Sequence, residues 1–291
     1  MKKYKAFIIK TASFIIAVLG LVTALWIFVI WKRANVCYNE KATTLVLGSS
    51  RIQYSFDDSI VPNSWNVGLN ADNYNIMLLK LKLLHHYNPQ IKNLVLLCDQ
   101  DLIYHYFSGV EYKLHPYYWD FMTFDDFLFI LKNDKILLYT PLQWLKILYP
   151  IKSFFGDIKF NELGIGGYTK LERNKLKEDL AREEHNANNS ERRTPNINQI
   201  LYLNKIIDYC NNNQIEITFI NSPSYPTKNI IEGNKALKEF INTTYSNIKF
   251  IDYELINFPD SCYGDIGHLN YHGATIFSKK FAIDYNNIIN E

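Results

Sequence analysis

The sequence predicts an α/β protein: a parallel sheet with helices on both faces, three layers in all, behind an N-terminal transmembrane helix. Three observations predict it. Thr11–Trp31 carries no charged side chain, enough helix to cross a bilayer core. After it, short apolar runs alternate with helix-like stretches, the pattern of a parallel sheet with crossover helices. One of those runs, Asn93–Cys98 (NLVLLC), is continuously apolar after its first residue, as a strand covered on both faces should be.

The anchor is the first element. Its apolar run is too long for a cleaved signal peptide, and no small-x-small site follows it. Lys2, Lys3, Lys5 and Lys10 precede it, Lys32 and Arg33 follow, and Trp26 and Trp31 lie toward the far end. That bias places the N-terminus inside and the domain outside the cell membrane. A buried core helix is the poorer reading, since no polar face is present. Residues 1–33 are therefore read as cytoplasmic tail and anchor, and 34–291 as one domain.

The domain's elements follow in order. Thr43–Leu47 is the first strand, and Ser64–Val67 the second, ending at Gly68. Asp72–His86 reads as a helix, capped by Asp72 or Asn73, with Ile76, Leu79 and Leu83 on one face. Asn93–Cys98 is the third strand. Residues of about 103–193 interrupt the alternation as an insertion over the C-terminal edge of the sheet. Within it, Phe124–Tyr149 suits one or two helices. Gly164, Gly166 and Gly167 mark a flexible loop, and the charge run in Thr169–Arg193 looks like a solvated helix. Thr194-Pro195 should open a helix reaching Cys210, with Thr as cap and Pro in the first turn. Strands at Glu216–Ile220 and Ile248–Asp252 flank a helix near Asn229–Tyr245, and His272–Tyr285 closes the domain.

Composition excludes some classes. A net charge of +2 over 291 residues, with no basic stripe, gives no reason to expect nucleic acid. An apolar content of 48% excludes a disordered chain. The 21 tyrosines and 5 tryptophans fit an aromatic-rich core or a sugar-stacking surface. Cys37, Cys98, Cys210 and Cys262 form no Cys-x-x-Cys pair, so zinc and thioredoxin-like readings are weak. No cofactor or metal is expected: His268 and His272 could share a helical face, but no third ligand can be placed beside them.

The chemistry-bearing residues lie far apart. Gly48-Ser49-Ser50 ends the first strand, where a serine on a sharp strand-to-helix turn can act as a nucleophile. The plain alternative is a serine that only caps a helix. Asp265-Ile-Gly-His268 sits before the last helix, and its spacing lets the carboxylate orient the imidazole. The plain alternative makes Asp265 a cap and His268 a surface residue. Gly68 after the second strand and Gln100 after the third could donate to an oxyanion.

In order and spacing, Gly48-Ser49-Ser50, Gly68, Cys98-Asp99-Gln100-Asp101 and Asp265-x-x-His268 resemble the blocks of the SGNH (GDSL-like) hydrolase superfamily across about residues 42–290. Ser49 replaces the family's aspartate, Gln100 its asparagine and Cys98 its glycine. The resemblance implies a flavodoxin-like sheet. It also implies Ser50 as nucleophile, His268 as base, Asp265 as its orienting carboxylate, and Gly68 with Gln100 in the oxyanion hole. Gly48-Ser-Ser-Arg51, Asn221-Ser-Pro223 and Asp-x-x-His-Leu-Asn before Gly273-Ala274 look like the membrane-anchored envelope proteins of D-alanyl-lipoteichoic acid transfer and alginate O-acetylation. That likeness implies an esterase or O-acyltransferase acting on an envelope glycan or acyl-ester substrate, often beside a multispanning membrane O-acyltransferase. The alternative is a non-catalytic module of the same fold that binds a glycan or such an acyltransferase, and Gln100 favours it. A lipase or peptidase reading lacks the Gly-x-Ser-x-Gly elbow.

Overall fold

The computed structural model describes residues 2–107, 116–133, 165–186 and 194–289. Helix α1 (Lys2–Val36) precedes β1 (Thr44–Leu47), α2 (Ser50–Ser55), β2 (Ser64–Asn66), α3 (Tyr74–Tyr87), β3 (Asn93–Leu97) and α4 (Gln100–Tyr104). Then come α5 (Phe124–Asn133), α6 (Leu176–Asn186), α7 (Ile197–Asn212), β4 (Glu216–Asn221), α8 (Lys228–Thr244), β5 (Lys249–Asp252) and α9 (Tyr271–Ile289).

The strands form a five-stranded, wholly parallel sheet in the order β2-β1-β3-β4-β5. The chain moves outward from β1 to β2, then crosses back past β1 to β3. Right-handed crossovers in opposite directions put α2 and α3 on opposite faces. α9 joins α2 on its face, where the Phe56 and Phe281 rings meet edge-on at 5.0 Å. α7 packs on α3. Leu45, Val46 and Leu47 of β1 and Leu94, Val95, Leu96 and Leu97 of β3 are all buried, so both faces of the sheet's centre are covered. Where the strand order reverses, between β1 and β3, the connections part and leave a crevice at the strands' carboxyl ends.

The structure departs from the sequence reading in several places. The helix expected from Thr194-Pro195 starts at Ile197, because Asn196 is the cap: its side-chain oxygen accepts from the N–H groups of Asn198 and Gln199. Asn73 stands at the cap of α3 but makes no cap hydrogen bond. It is drawn off to hold the chain after α4, donating to Phe107 O at 2.8 Å and accepting from Phe107 N–H at 3.1 Å. Residues 165–175 are neither a loose loop nor a helix. Gly167 N–H donates to Gly68 O and Thr169 N–H to Gln53 O, so this stretch is a strap tied across the domain. Among the described residues of the charge run, Leu176–Asn186 is helical, and residues 187–193 lie outside the described residues. Of the helical stretch expected at Phe124–Tyr149, residues 134–149 lie outside the described residues, as does Gly164.

Helix α1 extends past both predicted ends, and its most apolar window has a mean hydropathy of 2.7 with no residue buried. It is long and apolar enough to span a membrane. Its last turn is docked on the domain. Arg33 is buried, donates to Tyr87 Oη at 2.9 Å and pairs with Asp120 at 2.6 Å. Asn88 Nδ2 donates to Cys37 O at 2.6 Å just beyond. All four cysteines are free and buried.

Phe281 is fully buried among Phe56, Tyr253, Phe277 and Tyr285. Phe281→Ala should lower stability by about 3–5 kcal/mol, the range for aromatic truncation in a core that cannot collapse. Denaturant unfolding of the two proteins under identical conditions measures it.

Candidate active site

The turn that carries Ser50 consists of Gly48 and Ser49 alone. A Cβ at position 48 would stand 2.3 Å from Ile52 Cγ1 and 2.8 Å from Leu97 Cβ. Glycine is what lets α2 fold back so closely over the ends of β1 and β3. Ser50 Oγ then lies 2.7 Å from His268 Nε2, and His268 Nδ1 lies 2.8 Å from Asp265 Oδ1. A carboxylate can only accept, so the imidazole N–H sits on Nδ1 and Nε2 is left to accept from the serine hydroxyl. Gly267 N–H also donates to Asp265 Oδ1, at 2.8 Å. Burial alone would raise the Asp265 carboxyl. The bonds from His268 and Gly267 and the charge of Arg173 outweigh it and hold the group below the usual carboxylate range. The Tyr54 ring meets the imidazole edge-on at 5.5 Å. The predicted residues Ser50, Asp265 and His268 are thus brought together at the crevice.

Arg51, next in the chain, points into the fold. It is 4% exposed, with Glu254 Oε1 at 2.9 Å, Asp101 Oδ2 at 3.3 Å and Asp99 Oδ2 at 3.5 Å. Glu254 is itself held by Asn221 Nδ2 at 2.8 Å. One guanidinium thus gathers groups from the ends of β3, β4 and β5 beneath the serine. Burial works against the Arg51 charge, but the surrounding carboxylates outweigh it and hold its pKa above the usual value. Burial pushes the Asp99 carboxyl up to about 7 against the pull of Arg51, and the charges of Asp101 and Glu254 push the same way as burial. The sequence names Arg51 and Asp99 only as members of resembling blocks, with no role attached, and does not point to Glu254.

The expected oxyanion donors are corrected by the geometry. Gly68 N–H is already used, donating to Asn66 Oδ1 at 2.8 Å. Gln100 is buried in the first turn of α4 and does not line the cavity beside Ser50. Ala71 does line it. It holds φ 55° in a turn closed by Asp72 N–H donating to Leu69 O, a conformation that favours glycine. Among the described residues, the N–H groups of Ser50 and Ala71 have no hydrogen-bond partner. The Ala71 turn is fixed from below. Lys80 is fully buried, pairs with buried Asp72 at 2.5 Å and donates to Val67 O at 3.0 Å. A left-handed alanine leaves no mark in a sequence, so this donor could not be read there.

The crevice holds a cavity of about 300 Å³, lined by Ser50, Ala71, Asp101, Phe107 and His268 among others. The strap crosses beside it. Beyond its ties to Gly68 and Gln53, Leu171 O accepts from Tyr271 N–H, and Lys175 N–H donates to Gly264 O. It therefore joins α2, the turn after β2 and the His268 loop. Gly166 makes the crossing possible: it holds φ +95°, and a Cβ there would lie 2.4 Å from Gly68 O. Among the described residues no group of three or more His, Cys, Asp or Glu could hold a metal ion.

A protein-family model that carries no functional description matches residues 169–290. No curated protein matches the chain. Ten solved chains do. One is a candidate acylhydrolase from Bacteroides fragilis NCTC 9343, with 8% identity and a TM-score of 0.39 over 85% of this chain and 88% of that one.

Two outcomes follow from the site's packing. Ala71→Gly should raise stability by about 1 kcal/mol by relieving the left-handed alanine, read from the denaturation midpoint. Folded Asp99 keeps its proton to about 7, while an unfolded aspartate loses it near pH ~3.9. Its stabilising share is therefore full below about pH 4 and is lost as pH rises toward 7. Asp99→Asn should flatten the fall in stability across that window, measured by unfolding at a series of pH values.

Proposed function

We propose that this chain is a membrane-anchored serine acyl-ester hydrolase or O-acyltransferase of SGNH-like type, acting on envelope polysaccharide. The observation that carries the reading is the 2.7 Å contact of Ser50 Oγ with His268 Nε2, with Asp265 behind the imidazole. His268 takes the hydroxyl proton as Ser50 Oγ attacks the ester carbonyl carbon. The carbonyl electron pair moves to oxygen, where the N–H groups of Ser50 and Ala71 stabilise it. Collapse expels the alcohol, which receives the proton from His268. The acyl group then leaves Ser50 for a sugar hydroxyl or for water by the same steps in reverse. A cavity of about 300 Å³ is at the small end for a ligand site, which supports a short acyl group with the rest of the substrate outside.

α1 serves as the anchor, with the lysine-rich N-terminus inside and the domain extracytoplasmic. A multispanning O-acyltransferase beside it would supply the acyl group. A second reading, a non-catalytic module binding a glycan or that partner, is favoured by one observation: neither Gln100 nor the Gly68 N–H is available as a further oxyanion donor.

Labelling by a fluorophosphonate separates the two. The wild-type chain should be labelled, and Ser50→Ala should not. Hydrolysis of 4-nitrophenyl acetate should fall by about 10³-fold or more in Ser50→Ala and by a similar factor in His268→Ala, because such residues act as a unit. Full activity in Ser50→Ala would remove the serine from the mechanism.

A further inference from the structure

Arg173 belongs to the strap and is absent from the triad logic, yet its guanidinium pairs with Asp265 Oδ2. The same nitrogen lies 3.4 Å from His268 Nδ1. Asp265 therefore spends one oxygen on His268 and Gly267 and the other on Arg173. The arginine's backbone is held on both sides. Leu171 O accepts from Tyr271 N–H, and Lys175 N–H donates to Gly264 O. The Arg173 carbonyl oxygen also packs where a Cβ on Gly264 would be 3.1 Å away. A cation delivered to this point from a separate segment of chain, on a backbone pinned at both ends, differs from a solvated surface arginine. The Asp265 side chain is 9% exposed and that of Arg173 38%.

Resting on the reading of Ser50, His268 and Asp265 as an acyl-transfer site, we propose that Arg173 is a positioning residue for the Asp265–His268 pair. It does two things. It locks the carboxylate with Oδ1 toward Nδ1, because rotation would break the ion pair at Oδ2. It also sets a positive charge 3.4 Å from Nδ1, where it opposes a second positive charge on the imidazole. The charged and titratable groups around the imidazole are Asp265 from its own loop, Arg173 from the strap and Tyr54 from α2, with Arg51 and Asp101 lining the same cavity. Of these, Arg173 is the cation placed within reach of Nδ1.

The test uses the full chain in detergent, with Arg173→Gln and Arg173→Lys. The His268 resonance is followed by NMR against pH and identified by its loss in His268→Asn. Arg173→Gln should move the His268 titration upward by about 1 pH unit, the scale of one nearby charge. Arg173→Lys, which keeps the charge, should stay near the wild-type midpoint. In turnover of 4-nitrophenyl acetate, Arg173→Gln should lower kcat by about 10–100-fold, the usual cost of losing a group that orients a functional imidazole, with KM little changed. The acid limb of kcat/KM should move with the NMR midpoint. A His268 titration in Arg173→Gln that overlays the wild type would overturn the proposal. The NMR arm needs no turnover, so the two readings fail separately: activity surviving in Ser50→Ala removes the catalytic assignment, whereas an unmoved titration removes only the role of Arg173.

Discussion

The site depends on one buried cation. Arg51 follows Ser50 directly and is closed off from solvent among Glu254, Asp101 and Asp99. A guanidinium in such a place is costly to desolvate, and only the carboxylates around it make it tolerable. Those carboxylates stand at the ends of β3 and β5, and Asn221, which holds Glu254, ends β4. The first turn of α2 is therefore fixed to several strand ends at once, and the serine one residue earlier has little freedom to drift. Burial above all, with the nearby charges of Asp101 and Glu254 adding to it against the pull of Arg51, is why Asp99 keeps its proton so long. A buried ionic knot thus underlies the turn that holds Ser50 at the sheet's carboxyl edge.

Much of this was legible in the sequence. Runs such as Asn93–Cys98 declare themselves because a strand covered on both faces must be apolar throughout. Their alternation with helices then allows few topologies. Ser50, Asp265 and His268 could be picked out because a parallel sheet sends every strand's carboxyl end to one rim. Residues that follow strands meet there, however far apart in the chain. The roles of Arg51, Glu254 and Arg173 could not be read. Their meaning comes from who faces whom across the fold, and as single letters they look like ordinary surface charges. Gly68 was the natural guess for a backbone donor. The structure instead uses this glycine for close packing, against Ile52 and under Gly166, and gives the free N–H to Ala71.

The strap shows why a charge run misleads. Arg173 falls within a polar stretch whose composition suits a solvated helix. Backbone hydrogen bonds to Gln53, Gly68, Gly264 and Tyr271 hold its first part extended. Those partners lie on α2, on the turn after β2 and on the loop of His268. The walls of the crevice come from both halves of the chain, and a segment between them in sequence secures them to one another.

The seat of α1 has a further consequence. Arg33 grips Tyr87, the last residue of α3, while the first turn of α3 adjoins the Ala71 bend. Fourteen residues of helix separate the two, about 21 Å at 1.5 Å per residue. With α1 embedded as proposed, the Arg33–Tyr87 contact would tie the far end of α3, and through that helix the Ala71 bend, to the anchor.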